Sequence, residues 1–148
     1  MIETKKKYYT ENEKQTKEIG MELGKQITGG GIIALYGNLG AGKTVFVKGV
    51  AKGLGIKNRI TSPTFVFWRV YNLSKKRLRY FCHVDLYRLP EPSNIQSIGI
   101  EEYWGRKDTV CLIEWAEKAK RLPKKNISFK VKINILEKNS RSIEIINF

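Results

Sequence analysis

The sequence predicts an α/β fold with a mixed central sheet flanked by helices. Three observations predict it. The apolar run Ile32 to Tyr36 breaks into Gly37-Asn38-Leu39-Gly40-Ala41-Gly42-Lys43-Thr44, and a helix-compatible stretch follows. Two more short apolar runs, 80 to 84 and 109 to 113, each end in a carboxylate, Asp85 and Glu114. Ile19, Leu23 and Ile27 recur at helical spacing ahead of the first run. The glycine-rich stretch has the Gly-x4-Gly-Lys-Thr spacing of a phosphate-binding loop, so the expected fold is a single P-loop NTPase-type domain over residues 1 to 148.

Each element follows in order. Lys6 to Tyr9 suits a short edge strand. Thr10-Glu11-Asn12-Glu13 has the Thr-x-x-Glu form of a capping box, which predicts a helix from about 11 to 28, ended by Gly29-Gly30-Gly31. The phosphate loop opens a second helix that ends near Gly53 to Gly55. Phe65 to Tyr71 and Leu78 to Val84 have strand composition and form a hairpin across the polar turn Asn72 to Arg77. Pro90 and Pro92 mark a loop, followed by a short helix over 93 to 98. Thr109 to Ile113 reads as a buried strand. From Ile127 to Leu136 the pattern alternates. Ile127, Phe129, Val131, Ile133 and Ile135 fall on one face, Lys130 and Lys132 on the other. Ser142 to Ile146 pairs with that strand across Lys138-Asn139-Ser140.

The composition narrows the class. A length of 148 residues suits one domain, and 41% hydrophobic residues suffice for a core. No apolar run approaches the ~20 residues of a membrane span. The N-terminus lacks the apolar core of a signal peptide, which points to a cytoplasmic protein. Cys82 and Cys111 sit inside apolar runs without Cys-x-x-Cys spacing and read as reduced, buried thiols. The net charge is +14, from 28 basic and 14 acidic residues. That excess suits an RNA partner, an acidic protein partner, or a lysine-rich composition with no specific target.

The chemistry centres on the loop. Its glycines let backbone N–H groups turn inward around a phosphate, and the helix after it points its positive end at the same anion. Lys43 reaches the β- and γ-phosphates, and the Thr44 hydroxyl is placed for Mg²⁺. Lys43 itself is expected at the surface of the empty loop. The expected cofactors are therefore ATP and Mg²⁺. A triphosphate site needs a second acidic anchor for Mg²⁺ or water, and both Glu114 and Asp85 qualify. Thr61, Ser62 and Thr64 lie where nucleotide switches carry hydroxyls that sense the γ-phosphate, although Pro63 alone also explains a turn there. His83 is the only histidine and shares a strand face with Asp85. Trp115 suits either a stacking role or the core. The chain has no Asn-Lys-x-Asp for guanine recognition, which favours adenine. Two other classes stay open: a stand-alone kinase of a small metabolite, and a basic RNA-binding module with a secondary nucleotide site.

Four pieces in sequence order carry a resemblance. They are the loop 37 to 44, Thr61-Ser62-Pro63-Thr64-Phe65, His83-Val84-Asp85-Leu86-Tyr87-Arg88, and Ile113-Glu114-Trp115. Over about residues 10 to 146 the chain resembles the TsaE (YjeE) family, the small ATPase of bacterial threonylcarbamoyl-adenosine modification of tRNA. The resemblance implies an ATPase working with a TsaB–TsaD heterodimer, with tRNA engaged indirectly or weakly through the basic surface. It implies Thr44 and Glu114 as Mg²⁺ ligands, Asp85 and Thr64 near the γ-phosphate or the attacking water, and Arg141 near the nucleotide. The basicity of the chain and its lysine-rich hairpin turn, 74 to 79, depart from common members.

Overall fold

A computed structural model describes residues 2–63, 67–89, 99–119 and 121–148. Among the described residues seven strands form one mixed sheet: β1 (Thr4–Thr10), β2 (Gly31–Tyr36), β3 (Trp68–Asn72), β4 (Tyr80–Asp85), β5 (Thr109–Glu114), β6 (Ile127–Ile135) and β7 (Arg141–Asn147). Their order is β1-β7-β6-β2-β5-β4-β3. The three most apolar strands lie side by side and parallel, β2 beside β5 and β5 beside β4, as expected of strands buried on both faces. Strand β6 also runs parallel to β2. The antiparallel pairs are β1–β7, β6–β7 and the β3–β4 hairpin. The first helix, α1, is Glu13–Gln26, and the second, α2, is Lys43–Gly53.

The side-chain alternation of each strand divides the core in two. Ile33 and Leu35 of β2, Leu112 of β5 and Phe81 of β4 pack with Leu23 of α1 and Phe46, Val47 and Val50 of α2. The intervening residues Ile32, Ala34, Cys82, Val84, Cys111 and Ile113 pack on the opposite face, with Ile100 and Ala116 from short 3-10 turns. Cys82 and Cys111 are free, buried and in register on adjacent strands. Hydrogen bonding to Cys82, and next burial, push the Cys111 thiol far up, so it stays protonated. The two α-helices approach closely at glycines: a Cβ on Gly49 would lie 2.2 Å from the carbonyl oxygen of Lys17.

Two local expectations change. The cap of α1 is Asn12, whose side chain accepts from the Gln15 N–H at 2.9 Å, while Gln15 Oε1 accepts from the Glu11 N–H at 2.7 Å. Thr10 ends β1 instead, and its hydroxyl pairs with that of Thr16 in a buried contact of 2.8 Å. The alternation of β6 is broken by a shift in register between Ile32 and Ile33, which sends Ile127 to the face opposite Val131 and Ile133. Strand β3 is described from Trp68, so its expected start at Phe65 lies outside the described residues, as does the short helix over 93 to 98.

Candidate nucleotide site

The parallel strands deliver the candidate residues to one edge of the sheet. Strand β2 is the middle strand of seven, and its carboxyl end runs into the glycine-rich loop. Leu35 of β2 is in register with Glu114 at the end of β5, and Glu114 is in register with Asp85 at the end of β4. Alternation places His83 and Asp85 on the Phe81 side, and Glu114 on the Leu112 side, which is the face covered by α2. Ligands of open α/β sheets bind outside the carboxyl ends of the strands, which is this edge.

The loop has the backbone an anion requires. Gly42 caps α2 with φ of 100°, a left-handed conformation that a side chain would strain, and no side chain caps the helix. The first-turn N–H groups of α2 therefore face outward beside the loop, with the helix dipole behind them. Asn38, Leu39, Gly40 and Thr44 are exposed, Gly37 is half-buried, and Ala41 is buried with a place in the helix-side core.

Lys43 departs from expectation. It is 6% exposed rather than at the loop surface. Its ammonium donates to the carbonyl of Gly37 and, at 3.0 Å, to that of Asn38. It also stands 3.9 Å from the centre of the Trp115 ring, a cation–π contact. Burial lowers its pKa, while Glu114, Glu117 and Asp85 pull the other way, which places its charge among those three carboxylates. Trp115 takes up a left-handed backbone (φ 57°) directly after β5 and also packs on Tyr87 at 5.1 Å. Its place at the end of an apolar strand, next to an acid, was the available signal that it belongs to the site. Glu117 carried no such signal.

The carboxylates differ in their surroundings. Glu114 is 2% exposed, and its Oε2 lies 2.6 Å from Nε2 of the fully buried His83. Asp85 is half-buried and accepts from the Tyr87 N–H at 3.0 Å. Burial holds its carboxyl above the usual range, and Glu114 adds to this, against the Tyr87 N–H, His83 and Lys43.

Arg141, at the start of β7, reaches the loop from outside. Its Nε donates to the Ala41 carbonyl at 2.9 Å and Nη2 to that of Gly40 at 3.2 Å. Nη1 holds the carbonyls of Lys138 and Ser140, each at 3.0 Å. Four of its five N–H donors are thus committed to backbone. Thr61 is exposed and accepts from Arg69 Nη1 at 3.3 Å, a contact to β3. Thr64 lies outside the described residues.

The donor set fits a nucleotide-borne Mg²⁺. Mg²⁺ takes one or two protein oxygens and completes its octahedron with phosphate oxygens and water. Thr44 offers an exposed hydroxyl, and Glu114 has a second oxygen beyond the one that meets His83. No cluster of three or more His, Cys, Asp or Glu side chains suited to a metal occurs among the described residues.

Comparison with known proteins places these features in a family. Residues 10–143 match the family model described as threonylcarbamoyl adenosine biosynthesis protein TsaE. The chain is 37% identical to the tRNA threonylcarbamoyladenosine biosynthesis protein TsaE of Nostoc sp., over 99% of this chain and 89% of that one. It is 39% identical to the protein of the same name from Treponema pallidum, over 88% and 92% respectively. The crystal structure of Bacillus subtilis YdiB superposes with a TM-score of 0.74 at 29% identity, covering 99% of this chain and 88% of that chain.

Proposed function

We propose that this chain, which belongs to the TsaE family of tRNA threonylcarbamoyladenosine biosynthesis, is a Mg²⁺-dependent ATPase that drives that modification by acting on a TsaB–TsaD-like heterodimer. In this reading it acts as one domain over residues 1 to 148, in the cytoplasm, and does not itself modify tRNA. No helix among the described residues is long and apolar enough to cross a membrane.

The observation that carries the reading is the arrangement of Lys43, Asp85 and Glu114. Asp85 and Glu114 end the adjacent parallel strands β4 and β5, Lys43 opens α2 after the loop that follows β2, and all three lie on the face of the sheet that α2 covers. The loop N–H groups and the first turn of α2 bind the phosphates. Lys43 leaves the Gly37 and Asn38 carbonyls to neutralise the β- and γ-phosphates, where partial exclusion of water strengthens the contact. Thr44 and Glu114 would hold Mg²⁺, which would supply charge neutralisation at the phosphates. Asp85 and Thr64 would act on the γ-phosphate or the attacking water, which either Asp85 or Glu114 would orient. Arg141 supports the nucleotide through the loop backbone it grips.

The sequence motifs contain no arginine finger, so hydrolysis by the isolated chain is slow, and the partner completes the site or orders the loop. A ligand biases a partner only through differential contacts in two states. The ATP and ADP forms therefore differ in affinity for the heterodimer. Calorimetric titration with Mg·ATP and Mg·GTP tests the nucleotide site itself. The expected result is tighter binding of ATP and loss of binding in Lys43→Ala. Equal or tighter GTP binding contradicts the adenine preference. Unchanged ATP affinity in the variant contradicts the site.

A further inference from the structure

A groove of about 580 Å³ runs along the outer side of α2, and no residue of the phosphate loop lines it. Lys48 and Lys52 rise one helical turn apart on α2, Lys17 faces them from α1, and Lys57 and Arg59 close the far wall. All five are exposed, and the lining contains no carboxylate among the described residues. Among the described residues Lys5, Lys25 and Arg106 meet acids, Glu144, Glu22 and Asp108 respectively. Among the described residues none of the five groove cations makes an ion pair.

We propose that this groove binds the phosphate backbone of base-paired RNA, with a tRNA stem as the natural occupant given the family's pathway. Like charges gathered on facing walls repel one another unless an anion lies between them, and a nucleic-acid backbone presents phosphates at regular short intervals. Among the described residues the exposed large apolar side chains, such as Tyr9, Leu39, Tyr87 and Leu136, lie outside the groove. A protein partner would need such anchors. Unpaired bases would need an aromatic stacking platform, and the lining has none among the described residues. What remains is sequence-independent contact with duplex phosphates.

Fluorescence anisotropy with labelled tRNA over a salt series, without nucleotide, tests this, so its failure leaves the phosphate-loop reading untouched. K48A/K52A/K57A removes three groove charges, and K5A/K6A/K7A removes three from β1 as a control for net charge. These side chains are exposed, and circular dichroism checks that both variants keep the fold. The expected result is that the groove variant binds at least tenfold more weakly at low salt. Its log–log salt slope should fall by about 2 to 3, given about 0.7–0.9 per phosphate contact. The control should stay within about threefold of wild type. Equal losses in both variants, no tRNA binding by wild type at low salt, or equally effective competition by poly-glutamate of matched charge would overturn the proposal.

Discussion

Nε2 of His83 and Oε2 of Glu114 lie 2.6 Å apart, with the imidazole wholly buried and the carboxylate 2% exposed. The pair joins β4 to β5 and fixes the orientation of the acid at the end of the central sheet. His83 Nδ1 has no hydrogen-bond partner among the described residues, so Glu114 is the only one the imidazole has there. Glu114→Ala strands the ring in the core, which costs about 1–3 kcal/mol. Glu114→Gln keeps an oxygen and an amide in place and costs less. Thermal denaturation of the two variants measures this, and equal melting temperatures would contradict it.

Asp85 gives the protein a specific pH dependence. Its folded pKa is raised, chiefly by burial, so the native state holds its proton more tightly than the unfolded chain. Below the ordinary carboxylate value of about 4 the group is protonated in both states and costs nothing. As pH rises through the raised folded value, ionisation removes stability. Asp85→Asn retains the acceptor for the Tyr87 N–H and removes the charge. It should therefore melt higher than wild type at pH 7, with the gap closing below about pH 4. A gap that widens on acidification would contradict the assignment.

Gly49→Ala sets two effects against each other. Alanine gains about 1 kcal/mol of helix propensity over glycine. The added Cβ would sit 2.2 Å from the Lys17 carbonyl oxygen, a backbone atom that moves only if α1 moves. Overpacking of this kind costs about 1–3 kcal/mol or more, so the clash should win. Denaturant unfolding should show a lower midpoint, and a higher one would mean that the helices separate easily.

Arg141→Ala frees the carbonyls of Gly40 and Ala41 from the turn that ends at Ser140. Nucleotide affinity should fall about tenfold, or about 1.4 kcal/mol. Arg141→Lys should rescue little of it, because one ammonium cannot span carbonyls on two segments as a planar fork does. Full rescue by lysine would show that only the charge matters.

The parts of this architecture that were legible in the sequence are those written in spacing. The loop 37 to 44, the apolar runs ending in Asp85 and Glu114, and the β6–β7 pairing follow from local pattern. What was not legible depends on partners distant in the chain. Arg141 meets Ala41 across a hundred positions, and His83 meets Glu114 across 31. The burial of Lys43 depends on Trp115, whose left-handed backbone no propensity scale anticipates. The cap of α1 moved from Thr10 to Asn12 because both residue types cap, and Thr10 is held in β1 opposite Arg141. The face of Ile127 was misread because one extra residue in a strand reverses the alternation.

In the proposed function the site at Lys43, Glu114 and Asp85 turns over ATP to keep tRNA modification cycling on a partner complex. The most direct measurement is multiple-turnover threonylcarbamoylation of tRNA by a reconstituted TsaB–TsaD-like heterodimer, with this protein present, omitted, or replaced by Glu114→Ala. The expected result is sustained turnover with wild type, and arrest after early rounds both without the protein and with the variant, while the variant still binds ATP. Undiminished turnover when the protein is omitted, or a variant that sustains it as well as wild type, would overturn this function.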